Sequence, residues 1–253
     1  MKIQIASDLH IEVYNKYPII EPKAKYLFLA GDIGEIGNEK YEEFLNYVNQ
    51  HWEKVIMILG NHEYYSKDKS YEEKLIENRE FFKQFENIYL LEKDCIELEG
   101  YRIIGLTLWS KLVSNRPATK RVKKRENNEL TKIGIEGLNK IHELSKQWLI
   151  NNYDKTKKTI IVTHYPLSLV DSFVRPKCYS HEPIELLKEF ANEYFLDIPE
   201  KQLICISGHT HFSHNFINID LNKIQYLSNQ LGYSGDKDYC GFNNDGVFYL
   251  KSM

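Results

Sequence analysis

Lys2-Ile3-Gln4-Ile5-Ala6-Ser7-Asp8-Leu9-His10 opens the chain. A short apolar run breaks off at once into a polar D-x-H triplet. The same grammar recurs four times. Tyr26–Ala30 runs into Gly31-Asp32, and residues 55–59 run into Gly60-Asn61-His62-Glu63. Residues 159–162 run into Thr163-His164, and Leu203–Ile206 into Ser207-Gly208-His209-Thr210-His211. Short runs rich in β-branched or aromatic residues, apolar at consecutive positions, read as strands buried on both faces. Such strands require layers above and below them. The expected fold class is therefore α/β, with sheets flanked by helices.

Helical spacing fills the intervals. Tyr41, Phe44, Leu45 and Val48 recur at helical period, as do Ile135, Leu138, Ile141, Leu144, Trp148 and Leu149. Residues 71–85 and 183–195 read as further amphipathic helices, with Pro183 at a first turn. Further strands are expected at 102–108, 216–220, 224–227 and 247–250. Residues 114–128 read as one long loop carrying Arg116, Lys120, Arg121, Lys123, Lys124 and Arg125. No internal repeat or low-complexity linker divides the chain, so residues 1–253 are expected to form one domain.

Composition excludes several classes. A 253-residue chain that is 42% hydrophobic and 27% charged is an ordinary folded protein. Its net charge of -3 argues against an extended nucleic-acid or anionic-membrane surface. The cysteines, at 95, 178, 205 and 240, are far apart and form no C-x-x-C pair, as expected of free thiols in a reducing compartment. No apolar run reaches the roughly 18 residues that span a bilayer. The motif at Asp8 leaves no room for a cleaved leader, so a cytoplasmic protein is expected.

The chemistry lies in the residues just past the strands. In α/β sheets, ligand sites gather outside the carboxyl ends of strands. Asp8, His10, Asp32, Asn61, His164, His209 and His211 would therefore converge on one mouth. Carboxylate, amide oxygen and imidazole together suit Mn, Fe, Zn, Co or Ni. Two divalent ions, about 3.5–4 Å apart, clamp the attacking and leaving oxygens of an in-line displacement and bring the pKa of a bound water toward roughly 7. In an extended segment, His209 and His211 would project to one side; in an irregular one they would reach neighbouring ions. Glycines 31, 60 and 208 would let the backbone turn tightly.

The ordered set D-x-H, G-D, G-N-H-E, T-H and G-H-T-H, from Asp8 to His211, resembles the calcineurin-like metallophosphoesterase superfamily. Each piece alone is weak; five in order are specific. The phrases Ser7-Asp8-Leu9-His10-Ile11-Glu12, Asn61-His62-Glu63-Tyr64-Tyr65 and Thr107-Leu108-Trp109 are similar to those of its compact single-domain members. The resemblance implies a four-layer αββα sandwich with two mixed sheets. It implies that Asp8, His10 and His211 hold one metal, that Asn61, His164 and His209 hold another, and that Asp32 bridges them. His62 would face the scissile phosphate. Protein phosphatases of this superfamily carry G-D-x-V-D-R-G, where this chain has Gly31-Asp32-Ile33-Gly34-Glu35-Ile36-Gly37. The phosphate-gripping arginine is missing, which argues against that branch. Glu35 stands in the second aspartate's place, where it would orient His62.

The remaining candidates carry less. Tyr165, Tyr179 and Tyr233 are candidate stacking residues, and His214 is a candidate substrate contact. His51 and His142 read as surface histidines, and Cys178 and His181 lack the second pair that a zinc site needs. The basic run is either a solvated stretch or a flap that draws in an anionic substrate. The expected function is hydrolysis of a small phosphomonoester or phosphodiester of nucleotide type, with manganese as the first metal to test. A nuclease is the enzymatic alternative, and a non-catalytic scaffold is the other. The sequence does not decide oligomeric state.

Overall fold

The computed structural model describes residues 1–14, 17–112, 114–167, 203–218, 224–236 and 240–250. Strands β1 (Lys2–Ala6), β2 (Tyr26–Ala30) and β3 (Lys54–Ile58) lie side by side and parallel, followed by β4 (Ile88–Leu90). Strand β13 (Val247–Tyr249) adds antiparallel to β1 and completes the first sheet, in the order β13-β1-β2-β3-β4. The second sheet has a parallel centre of β6 (Tyr101–Leu106), β9 (Thr159–Thr163), β10 (Leu203–Ile206) and β12 (Ile224–Ser228). Antiparallel β5 (Asp94–Leu98) and β11 (His214–Asn218) close its edges.

Alternation within the strands builds the layers. Ile3, Ile5, Phe28, Ala30, Ile56 and Ile58 share an apolar cluster with Ile103, Ile160, Val162, Ile204 and Ile206 of the other sheet. The intervening residues face the opposite way, because strand side chains alternate. Leu27, Leu29, Val55, Met57, Ile104, Ile161 and Cys205 belong to a second cluster. That cluster takes in Tyr41, Phe44, Leu45 and Val48 of α1 (Glu39–His51) and Leu138, Ile141 and Leu149 of α4 (Gly134–Asn152). Two mixed sheets thus stack face to face with helices outside, as expected. Asn38 caps α1, and Ser70 and Glu73 form a capping box on α2 (Tyr71–Phe82).

Three expectations change. The stretch 114–128 is not one loop: it holds α3 (Pro117–Arg121) and β7 (Lys123–Glu126), which pairs with β8 (Glu129–Lys132). Asn127 and Asn128 make the hairpin turn at φ 48° and 65°, a backbone that asparagine tolerates well. The helix expected over 71–85 stops at Phe82. His142 is not a surface residue: it is buried on α4, where its Nδ1–H donates to the Trp109 carbonyl. The expected helix 183–195, together with Tyr179, Cys178 and His181, lies outside the described residues. Among the described residues no helix is long and apolar enough to cross a membrane.

Candidate metal centre

The parallel strands of the two sheets are laced together where they end. His164 Nδ1–H, just past β9, donates to the Ala30 carbonyl at the end of β2, at 2.9 Å. Thr107 Oγ1, just past β6, donates to the Leu59 carbonyl beyond β3, at 2.8 Å. The His209 amide donates to both Asp8 carboxylate oxygens at 3.0 Å. The turns at these strand ends are tight. Asp8, His10, Asp32, His209 and His211 all have left-handed backbones, with φ between 44° and 72°. Clusters of non-glycine residues in that region mark strained functional loops. The segments are therefore not extended, and alternate histidines reach different neighbours.

Gly31 supplies a sharp turn, at φ 86°. Gly60 serves a different purpose from the one expected: its φ is not left-handed, and a Cβ there would collide with the Asp32 carboxylate.

Asp32 lies at the middle of the site. Its Oδ2 is 3.5 Å from His164 Nε2 and 3.9 Å from His10 Nε2. On one side, Asp8, His10 and His211 come together: the Nε2 atoms of His10 and His211 are 3.2 Å apart, and His211 Nε2 is 3.5 Å from Asp8 Oδ1. On the other side, His164 Nε2 is 3.1 Å from both Asn61 Oδ1 and His209 Nδ1. All seven predicted donors are thus brought together: Asp8, His10 and His211 form one cluster, Asp32, His164 and His209 another beside Asn61, and His62 joins His10 and Asp32 in a third.

Divalent cations fit this donor set. His164 spends its Nδ1–H on Ala30, so neutral His164 presents an Nε2 lone pair. That lone pair faces oxygens of Asn61 and Asp32, which are also acceptors. His211 and His10 repeat the pattern, with Nδ1 held by Asp236 at 2.6 Å and by Glu12 at 3.2 Å. Metal-binding imidazoles characteristically donate their other nitrogen to a carboxylate or carbonyl in this way. Acceptors crowded against acceptors repel one another unless a cation or protons lie between them. Tyr65 fixes the amide of Asn61 by accepting from its Nδ2 at 2.9 Å, which aims Oδ1 at the centre.

Charge follows the geometry. Burial disfavours the charged form of Asp32, but the charges of His164, His62 and His10 hold its carboxyl well below the usual range. Burial opposes a charged His62, yet Asp32, Glu12 and Glu63 outweigh it and lift the imidazole to about 9. His164 is raised to about 9 in the same way, by Asp32 and Asp8 against burial.

Several organising residues escaped the sequence reading. Glu12 Oε1, not Glu35, contacts His62 Nδ1, at 3.1 Å. The same oxygen contacts His10, whereas Glu35 is exposed. Glu12 lies two residues past His10 in the D-L-H-I-E phrase, and that spacing was the available signal. Glu63 accepts from the amides of Asp32, Ile33 and Gly60 at 3.1, 2.8 and 2.7 Å, which locks the second and third loops together. Gln230 accepts from the His211 amide at 2.6 Å and fixes the last loop. Nothing in a lone glutamine predicts that.

Asp32, Asn61, His209 and His211 floor a cavity of about 210 Å³, walled by Tyr65, Trp109, Tyr165 and Tyr233. Tyr233 Oη is 3.0 Å from His62 Nε2, and its ring stacks on His10. Tyr165 donates to Asn61 Oδ1 at 3.3 Å and packs against His209. His214 begins β11 beside Phe216 and is not among the residues that line the cavity. The basic run divides. Arg116 and Arg121 line the cavity, whereas Arg125 forms a two-pronged pair with Glu73 and Lys124 pairs with Glu126.

A buried carboxylate–imidazole–amide centre at the ends of parallel strands from two stacked sheets defines a metallohydrolase. Residues 1–213 match the family model described as calcineurin-like phosphoesterase. The chain belongs to that family and is a metal-dependent phosphoric ester hydrolase. A protein of Acanthamoeba polyphaga mimivirus, described as uncharacterized protein L509, is 30% identical over 229 residues, covering 84% of this chain and 80% of its own. The crystal structure of the phosphopantetheinyl hydrolase of Mycobacterium tuberculosis superposes with a TM-score of 0.59. It is 15% identical, covers 93% of this chain and 90% of its own, and the likeness is one of fold.

Proposed function

We propose that this chain hydrolyses a small phosphate ester of nucleotide type at a dinuclear centre. In this reading Asp8, His10 and His211 hold one ion, Asn61, His164 and His209 hold the other, and Asp32 bridges them. The observation that carries it is the position of Asp32 Oδ2, within 3.9 Å of His10 on one side and 3.5 Å of His164 on the other. Divalent ions held there supply Lewis-acid polarisation of the phosphoryl group and acidify water.

The chain's own residues do the rest. His62 stands at the cavity wall with Nδ1 on Glu12 and Nε2 toward Asp32 and Tyr233. With Nδ1 held by Glu12, His62 donates a proton from Nε2 to the departing ester oxygen, the work of a general acid. Glu12 fixes the ring plane, and the tyrosine and tryptophan walls exclude bulk water. The nuclease alternative drew on the basic run. With Arg125 and Lys124 paired elsewhere, the cavity favours a compact substrate over an extended strand.

Manganese-loaded protein should hydrolyse p-nitrophenyl phosphate or its bis ester. His62→Ala should lower kcat by roughly 10²–10⁴-fold while metal content is unchanged. No turnover of either ester with any divalent metal refutes the proposal.

A further inference from the structure

We propose that Arg121 grips the substrate's phosphate and biases the site toward phosphomonoesters; this rests on the hydrolase reading above. The loop that carries Asp32, Gly31 to Gly37, holds no arginine. The fold brings one from about ninety residues further along the chain. Arg121 ends α3 and lines the cavity that Asp32, Asn61, His209 and His211 floor.

Its position is built. The guanidinium carbon lies 5.2 Å from the centroid of the Tyr65 ring, a cation–π contact. Tyr65 in turn holds Asn61 at 2.9 Å and lies 4.8 Å, ring to ring, from His62. One aromatic side chain therefore spaces the arginine from a candidate metal donor and from the candidate proton donor. The backbone is tied down as well. The Ser66 amide donates to the Arg121 carbonyl at 3.3 Å, Val122 is fully buried, and the Ile133 amide donates to Val122 at 3.0 Å.

Arg125 and Arg121 thus do different work. Arg125 is neutralised by a carboxylate, whereas Arg121 rests on an uncharged ring at the mouth of an anion-seeking site. A planar guanidinium pairs two-pronged with phosphate oxygens. A monoester offers a dianion with three non-bridging oxygens; a diester offers one charge and two. A cation beyond the metals therefore favours the monoester.

The test compares wild type, Arg121→Ala, Arg121→Lys and Arg125→Ala, all manganese-loaded and checked for equal thermal stability. Rates are measured on p-nitrophenyl phosphate and on its bis ester, and inorganic phosphate binding is measured by calorimetry. Arg121→Ala should raise both KM for the monoester and Kd for phosphate by roughly ten- to hundredfold, with little change in kcat. The bis ester should lose less, Arg121→Lys should restore little, and Arg125→Ala should match wild type. Unchanged phosphate affinity in Arg121→Ala overturns the proposal, as does an equal loss in Arg125→Ala or an equal loss on both esters. Wild type inactive on both esters refutes the hydrolase reading instead, and the phosphate titration still decides the role of Arg121.

Discussion

Glu12 shows how much one oxygen can organise. Its Oε1 contacts Nδ1 of His10 at 3.2 Å and Nδ1 of His62 at 3.1 Å. Burial would push the carboxyl up, but the two imidazoles outweigh it and lower its pKa, so it stays charged between them. Removing that charge should loosen both rings. Glu12→Gln should lose roughly 10- to 100-fold in activity or manganese affinity, measured by steady-state rates and metal titration. Activity and affinity both within twofold of wild type would show that the rings are held without it. The eight motif residues were legible because aspartate, asparagine and histidine after buried strands have few other reasons to recur. Glu12, Glu63 and Gln230 were less legible: each acts through a hydrogen bond to another loop, and a partner across the fold leaves no mark in local sequence.

At the scale of elements, legibility follows burial. Lys2–Ala6, Tyr26–Ala30 and Leu203–Ile206 form the strands their apolar runs announce, residue for residue. These strands are buried on both faces, and desolvation alone dictates their composition. Among the strands at sheet edges, β11 and β13 were announced by the runs at 216–220 and 247–250, but β4, β5, β7 and β8 were not. Strand β5, with sequence DCIEL, is half exposed, and β7 and β8, KKRE and ELTK, have almost no buried residues. Their register rests on the turn at Asn127–Asn128, an adjacent asparagine pair that was the readable cue. His142 was misread because its type suggested surface. Its spacing, one turn past Leu138 and flanked by Ile141 and Ser145, placed it on the buried stripe of α4. From there it holds the backbone of Trp109, a wall of the cavity.

The whole molecule couples folding to protons and to metal at one place. Without metal, His62 and His164 are raised from 6.5 to about 9 by Asp32 against burial. A folded-state pKa above the unfolded one adds stability that is complete below about pH 6.5 and is lost as pH rises through about 9. Metal-free protein should therefore lose stability across that window. Metal binding needs neutral imidazoles and so strengthens across the same window. The gap in Tm between manganese-loaded and metal-free protein should widen from pH 6.5 to 9, as read by differential scanning calorimetry. A gap independent of pH would contradict the coupling.

In the proposed centre, seven side chains from two stacked sheets hold two metal ions, with Asp32 between them. Elemental analysis of manganese-reconstituted protein tests it most directly. Wild type should hold two manganese ions per chain, and Asn61→Ala and His164→Ala one each. One ion or none in wild type, or two retained in both variants, would contradict it.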